Sequence, residues 1–339
     1  MFKSNNYHLS YFLTILKKIK YTINIHEYYY HKYLLLLIIN IYLLYENELS
    51  KEKALDFNDM INKSILILKE HKLKNKWRYI IIDEYQDTSL TKFNFINEIL
   101  KQTSAKFLAV GDDFQSIYRF TGCDLSIFLN FTKYFQDSKI FKIINTYRNP
   151  QELINVAGNF IMKNKYQQKK ELISKKHIEK PIILYYCDDK VKALKYLLKN
   201  ITPNSKEIMV IGRNNHDIYS YIDQDFNLNN GIYSYDNISF RYLTAHRSKG
   251  LECDNVILIN VTDNIIGFPS KKKEEKIIRY VNQYHNLYPY EEERRLFYVA
   301  LTRTKNKVYI ICSTKNESIF IKEIKKYSQY IEINKKNKN

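Results

Sequence analysis

Short apolar runs, each closed by polar or glycine-containing residues, recur along most of the chain. They are "YIIIDE" (79–84), "KFLAVGDD" (106–113), "KIFKIINTYR" (139–148), "KPIILYY" (180–186), "EIMVIGR" (207–213), "FRYLTAH" (240–246), "NVILINV" (255–261) and "KVYIICS" (307–313). Each predicts a strand. Between many of them lie helix-like stretches at 90–102, 150–163, 190–200 and 291–301. Apolar strands alternating with helices predict an α/β fold with a parallel sheet covered on both faces. In such sheets ligand chemistry gathers beyond the carboxyl ends of the strands, where the polar residues that close these runs are expected. Upstream, residues 1–50 read as helical, and "ALDFNDMINKSILILKEHKL" (54–73) predicts a helix capped by Asp56 or Asn58, with Ile61, Ile65 and Leu68 at helical spacing. "LLLLIINIYLLY" (34–45) falls short of the roughly 20 apolar residues of a membrane span, so a buried helix is expected there and no membrane association. No internal repeat is visible, and the tail "INKKNKN" reads as a charged, frayed end.

Composition adds two constraints. With 339 residues, 45% hydrophobic and 15% aromatic, the chain has ample material for a buried core. A formal net charge of +18 favours a polyanionic partner. The same excess also follows from AT-rich codon usage, which inflates Lys, Asn, Ile and Tyr and leaves only seven Gly and five Pro, so charge alone does not decide for nucleic acid. Cys123, Cys187, Cys253 and Cys312 stand apart with no C-x-x-C pair, and no H-E-x-x-H occurs. A zinc site or disulfide framework is not expected, and a reduced, cytoplasmic setting fits. The opening residues lack the apolar core and small-residue cleavage site of a signal peptide.

Five stretches carry candidate chemistry. Asp83 and Glu84 close a strand, where one carboxylate can ligate Mg²⁺ and its neighbour can polarise a water; taken alone, a solvated acidic turn, common in α/β proteins, is the better reading of the pair. In "AVGDDFQSIYRFTGCD" (109–124), Gln115 can sense a γ-phosphate, and Tyr118, Arg119 and Phe120 suit stacking on single-stranded bases; a core turn with two buried rings is the alternative. In "NTYRNP" (145–150), Tyr147 could stack on a base and Arg148 grip phosphate oxygens, or Asn149-Pro150 could simply start a helix. "YLTAHRSKGLECDNVILINV" (242–261) places Thr244, His246, Arg247 and Lys249 before Gly250, with Glu252 after it. That is either a backbone-binding loop or an ordinary basic loop. In "EEERRLFYVALTRTKNKVYII" (291–311), Arg303 ends a helical run and could act on transition-state charge. The charged run Glu291–Arg295 is expected to be solvated.

In this order and combination the stretches resemble the successive motifs of superfamily 1 DNA helicases of the UvrD/Rep type, through "DFNDM", "IIDEYQDTS", "VGDDFQSIYRFTG", "TYRNP", "TAHRSKGLE" and "EERRLFYVALTRT". Within that family the chain looks most like the DNA helicase IV group, through "GDDFQSIYRFTG", "GFPS" and "KNKWRYIIIDEYQDTS". The resemblance runs from about residue 35 to about residue 325.

The resemblance implies two RecA-like domains of the P-loop NTPase type that couple ATP hydrolysis to 3′-to-5′ movement on DNA, in repair or recombination. By matching motifs, Asp83 would hold Mg²⁺ and Glu84 would activate water. Gln115, Arg148 and Arg303 would surround the γ-phosphate. Tyr147 would stack on adenine, and Glu252, beside Gly250, would contact the ribose. Tyr118, Arg119, Phe120, Thr244, His246 and Lys249 would face single-stranded or duplex DNA, and Arg213 in "VIGRNN" matches a further family position. The chain departs from the pattern at its start. The phosphate loop G-x-x-x-x-G-K-[ST] is absent, and the first glycine is Gly111. The expected organisation is a helical segment at 1–50 left from a first-domain insertion, an incomplete first RecA-like domain at 51–137, a second at 138–330 with little or no accessory insertion, and a tail at 331–339. The expected activity is that of a truncated or split-gene ATP-dependent helicase, with a separate chain supplying the phosphate loop. The alternative is a single-strand-binding remnant or an inactive product.

Overall fold

The structure, a computed structural model, describes residue 3 and residues 14–17, 24–73, 77–201, 207–272 and 288–335. The described residues form two compact units, one up to Ser138 and one from Lys139 onward.

In the first unit, helix α1 (Ile25–Lys51) starts at Asn24, whose side chain accepts from the Glu27 amide. Helix α2 (Phe57–Glu70) starts with a reciprocal cap in which Asp56 and Asp59 each accept the other's backbone N–H. The Lys3 ammonium ties the two helices, lying 2.9 Å from Asp56 and 2.7 Å from Asp59 and also bridging to Glu46. Strand β1 (Tyr79–Ile82), helix α3 (Leu90–Gln102) and strand β2 (Lys106–Ala109) follow, the strands pairing in parallel with Ile80 opposite Phe107. Two short helices, α4 (Leu125–Leu129) and α5 (Phe131–Tyr134), close the unit's core of Tyr85, Phe93, Ile96 and Ile127. Ile82, Phe107 and Ala109 pack onto that core.

Two expectations fail in this unit. The helix over 34–45 forms but is not buried. Only His31 and Leu35 of α1 are buried, and Leu36, Leu37, Ile41 and Leu44 are exposed. The sheet is covered on one face only, because the strands alternate by two and Tyr79, Ile81 and Leu108 point away from the core to solvent. No described helix is long and apolar enough to cross a membrane.

The second unit holds helix α6 (Gln151–Ile161), β3 (Ile182–Tyr186), α7 (Lys190–Ile201), β4 (Ile208–Gly212), a hairpin of β5 (Phe226–Asn229) and β6 (Ile232–Tyr235), β7 (Ile238–Thr244), β8 (Cys253–Leu258), α8 (Glu291–Leu301), β9 (Thr304–Cys312), α9 (Ile319–Ile324) and β10 (Ile331–Lys335). The eight strands lie in the order β10-β3-β9-β8-β4-β7-β6-β5. The first six are mutually parallel, and the hairpin adds antiparallel strands at one edge. β3 and β4 are buried at every position, as continuous apolar strands with two covered faces must be. α7 contributes Ala193, Leu194, Leu197 and Leu198 to a core shared with Val210, Phe240 and Ile257. α6, α8 and α9 pack together through the rings of Phe160, Phe297 and Phe320.

Three further expectations are corrected here. The run 139–148 is not a strand. Among the described residues its one β-type pairing is a bridge from Asn145 to Ile173, and with no neighbouring strand Phe141 and Ile143 stay exposed. The expected frayed tail begins as strand β10, which finishes the sheet edge beside β3; residues 336–339 lie outside the described part. The charged run Glu291–Arg295 is largely buried. Arg295 pairs with Glu291 at 2.7 Å, and Arg294 grips Glu323 while lying over the rings of Phe160 and Phe320. Buried charges persist when paired, and these are.

Candidate functional site

In the first unit the two parallel strands end side by side, so the segments that follow them meet. Val110 donates its N–H to Ile82 O, and Tyr85 donates to Val110 O. Asp83 and Glu84 emerge at this end, both exposed. Glu84 has a positive φ of 51°, and its N–H donates to Asp83 Oδ1 at 2.8 Å. Gln86 fixes the geometry. It is fully buried, its Nε2 donates to Glu84 Oε2, and its Oε1 accepts the Asp112 N–H at 2.9 Å. Gly111 is required here by close approach, since a Cβ would sit 2.5 Å from Gln86 Oε1 and 2.8 Å from the Phe128 ring. Asp112 in turn accepts from the Gln115 side chain at 2.8 Å and from the Phe114 N–H at 3.1 Å. Asp83, Glu84 and Gln115 are thus brought to one strand-end site. Sequence reasoning missed Gln86 and Asp112, which position them.

The donor set suits Mg²⁺ carried by a nucleotide. Among the described residues no cluster of three or more His, Cys, Asp or Glu could hold a metal by itself. Mg²⁺ characteristically takes one or two carboxylates and completes its shell with water and phosphate.

Tyr118, Arg119 and Phe120 sit on a loop pinned to the same site. Cys123 donates to Asp87 O at 2.9 Å, and the Asp124 N–H donates to Thr88 O at 3.0 Å. The Tyr118 and Phe120 rings meet edge to face at 6.1 Å, and Phe120 is 60% exposed. An exposed aromatic held by an anchored loop can stack on a flat ligand.

The second unit carries two groups of candidates, at opposite ends of its parallel strands. At the amino ends of β8 and β9, Arg148 Nε donates to Glu252 at 2.8 Å and Lys305 reaches the other carboxylate oxygen at 3.1 Å. These two cations hold the Glu252 carboxyl below its ordinary range. Tyr147 beside them is 86% exposed. Asn149, buried, donates its amide to Thr302 O and Thr304 O, fastening this segment to the turn that carries Arg303. The Arg303 guanidinium is itself buried, donating to Val299 O, Leu251 O and Thr302 Oγ1. Its bond to Leu251 places it next to Glu252. Asp83, Gln115 and Thr244 thus stand at or just beyond carboxyl ends, while Glu252 and Arg303 precede β8 and β9, Arg303 at the helix-to-strand turn where the sequence placed it.

At the carboxyl ends of β4 and β7, Gly212 lies opposite Thr244, and the Ala245 N–H donates to Gly212 O at 2.8 Å. Arg213 and His246 leave these strands as neighbours. Thr244 Oγ1 accepts the Arg247 N–H at 3.3 Å and Ser248 Oγ donates to Ala245 O, which curls the segment into a turn before Lys249 and Gly250. Burial, and the positive charge of Arg213, push the His246 imidazole down to about 4. Arg213 makes a bidentate pair with Glu293 at 2.7–3.1 Å. Asp217 holds the backbone below it, accepting from the Arg213 and Asn214 amides. Asn149 and Glu293 lay inside quoted motifs without an assigned role, and Asp217 outside them, because their partners lie far along the chain or on its backbone.

Comparison with known proteins fits this geometry. Residues 7–136 match the family model of the UvrD/REP helicase N-terminal domain, and residues 234–315 match that of the UvrD-like helicase C-terminal domain. DNA helicase IV of Escherichia coli K12 is 30% identical over 282 residues, covering 83% of this chain and 40% of the relative. A probable DNA helicase II homolog of Mycoplasma capricolum is 32% identical over 184 residues, covering 53% of this chain and 25% of the relative. A probable DNA helicase of Mycoplasma pneumoniae is 27% identical over 287 residues, covering 79% and 50%. The chain thus spans a quarter to a half of the length of these relatives. A solved C-terminal domain of a possible DNA helicase from Lactobacillus aligns over 56% of this chain and 99% of its own length, at 13% identity and a TM-score of 0.34, too slight a likeness to build on. With both domain families matched in order along one chain, and the motif residues standing at strand ends, the protein belongs to the UvrD/Rep helicase family.

Proposed function

We propose that the chain carries the DNA track and part of the ATP site of a 3′-to-5′ DNA helicase. The observation that carries this reading is the segment Thr244–Glu252. One end stands beyond the carboxyl end of β7 with Arg213 and His246, and the other enters β8 with Glu252 bound to Arg148 and Lys305. One short loop therefore joins a candidate DNA edge to a candidate nucleotide edge, so that movement at either is felt at the other.

In this reading Asp83 would hold Mg²⁺, which when bound neutralises charge on the transferred phosphoryl group. Glu84, oriented by Gln86, takes the proton of the attacking water. By their motifs Gln115, Arg148 and Arg303 would each act on the γ-phosphate. Arg303 must exchange a carbonyl partner to do so, and Leu251 O is the one nearest Glu252. Tyr147 offers its exposed ring to adenine and Glu252 its carboxylate to the ribose. Tyr118 and Phe120 stack on bases, while Thr244, His246 and Lys249 meet the strand from the second unit. The 339 residues contain no G-x-x-x-x-G-K-[ST]. The amides and lysine that cradle phosphates would come from another polypeptide segment.

The purified chain is expected to bind single-stranded DNA with strong salt dependence and to show negligible DNA-stimulated ATP hydrolysis. Tyr118→Ala with Phe120→Ala should weaken binding roughly tenfold or more, since stacking contributes about 1–3 kcal/mol per base. Undiminished binding in that double variant removes the track. Robust turnover lost in Glu84→Gln removes the need for another segment. A single-strand-binding module without turnover is the second reading, favoured by the exposed Phe120. It stands if a supplied phosphate-loop polypeptide restores no hydrolysis.

A further inference from the structure

Arg213 is the one arginine at the carboxyl ends of β4 and β7 whose guanidinium is held by a bidentate carboxylate among the described residues. Its Nε lies 3.0 and 3.1 Å from the two Glu293 oxygens, and its Nη2 lies 2.7 Å from Oε1. Both side chains are mostly withdrawn from solvent, at 20% and 14% exposure. Glu293 is fixed from behind, since its Oε2 also accepts the Ser270 N–H at 2.9 Å. It stands in the first turn of α8, the helix that ends just before Arg303. The nearby imidazole of His246 stays neutral at physiological pH, and Thr244 is uncharged. At this edge the positive charge of Arg213 is cancelled by the Glu293 carboxylate.

A guanidinium fork grips carboxylate and phosphate with the same geometry. We propose that Glu293 is a built-in competitor for Arg213. It occupies the fork in the absence of nucleic acid, and a DNA backbone phosphate must displace it. The inference rests on the reading of this edge as the DNA track. It goes further in making Glu293 a positioning residue that sets affinity for single strands. It also gives DNA a direct purchase on α8, because an arginine transferred to phosphate removes one of the ties on that helix's first turn.

The test is fluorescence anisotropy of the full chain with a labelled oligo-dT across a KCl series, for wild type, Glu293→Gln, Arg213→Gln and the double variant. Gln at 293 keeps an acceptor for Ser270 and loses the charge. Glu293→Gln is expected to bind several-fold more tightly, with a log–log salt slope steeper by about 0.7, as one further phosphate contact requires. In the Arg213→Gln background the same substitution should change neither affinity nor slope, which separates a freed arginine from a general loss of negative charge. Thermal melts by circular dichroism run alongside. A lowered Tm with an unchanged slope means Glu293 is purely structural, and overturns the proposal. So does a gain that persists without Arg213. If wild type binds and Glu293→Gln binds identically, the competitor idea falls and the DNA track stands. If no variant binds at all, both fall.

Discussion

At the residue scale, the candidate site depends on amides as much as on charges. Asn149 is buried and satisfies two backbone acceptors, Thr302 O at 3.1 Å and Thr304 O at 2.7 Å. Asn149→Ala strands both, and the expected loss is about 1–3 kcal/mol, seen as a lower urea midpoint with an unchanged m value. His246 makes a separate demand. Its imidazole ordinarily titrates near 6.5 and is pushed down to about 4 in the fold. Between those values the unfolded chain binds the proton and the folded chain does not, so stability falls as pH drops through the window and is untouched by His246 above it. His246→Gln should therefore lose less stability than wild type between pH 7.5 and pH 5, measured by urea midpoints at both; parallel losses would remove the assignment. Glu252, Glu317 and Glu323, whose carboxyls are held low by cationic partners, lose their contribution only within and below the ordinary carboxylate range, so they do not mimic this difference. Asp83, Gln115, Arg148 and Arg303 were readable as candidates because they stand within short motifs that resemble those of the helicase family. Gln86 and Asn149 were not, because each works through atoms brought near by folding, Asp112 in one case and residues 302–304 in the other.

At the element scale, the apolar runs at 79–84, 106–113, 180–186, 207–213, 240–246, 255–261 and 307–313 each contain a strand; β3 and β4 are continuously apolar because both their faces are covered, while β1 and β2 partly bury alternate residues only. The run at 139–148 had the same composition and failed, because a strand needs a neighbour to receive its hydrogen bonds and Ile144 and Thr146 find only Ile173. The hairpin β5–β6 was readable and passed over. Its strands are short and mixed, yet "NG" lies between them. Asn229 pairs with Ile232, leaving Asn230 and Gly231 as a two-residue turn with φ of 49° and 78°. That is the mirror-image turn whose twist matches the strands, and it demands positive φ at both positions. A Cβ at Gly231 would meet nothing within 4 Å, so only backbone strain opposes a side chain there. Gly231→Ala should cost about 1–2 kcal/mol, measured by thermal melting. A neutral result would mean the turn is free to change type. The hairpin also takes the short stretch between Arg213 and Thr244, folding it onto the sheet edge.

At the scale of the whole molecule, the two units differ in how well they are closed. The second has an eight-stranded sheet whose central strands are buried on both faces. Among the described residues the first has two parallel strands, a small core around Tyr85 and Phe93, and exposed apolar residues on the sheet at Ile81 and Leu108 and on α1 at Leu36, Leu37, Ile41 and Leu44. Hydrophobic burial drives folding roughly in proportion to area removed from water, and sheets of two strands are marginal without further packing. The first unit should accordingly unfold at lower denaturant than the second. The chain offers a clean reporter, because its single tryptophan, Trp77, lies just before β1 in the first unit. Trp77 fluorescence in urea should change in one early transition, while far-ultraviolet circular dichroism should show that transition and a later, larger one from the second unit. Limited proteolysis at intermediate urea should leave a protected fragment beginning near Lys139. Coincident transitions by both probes would mean the units fold as one, and that the exposed apolar surface of the first is stabilised by its place in the whole chain rather than by its own core.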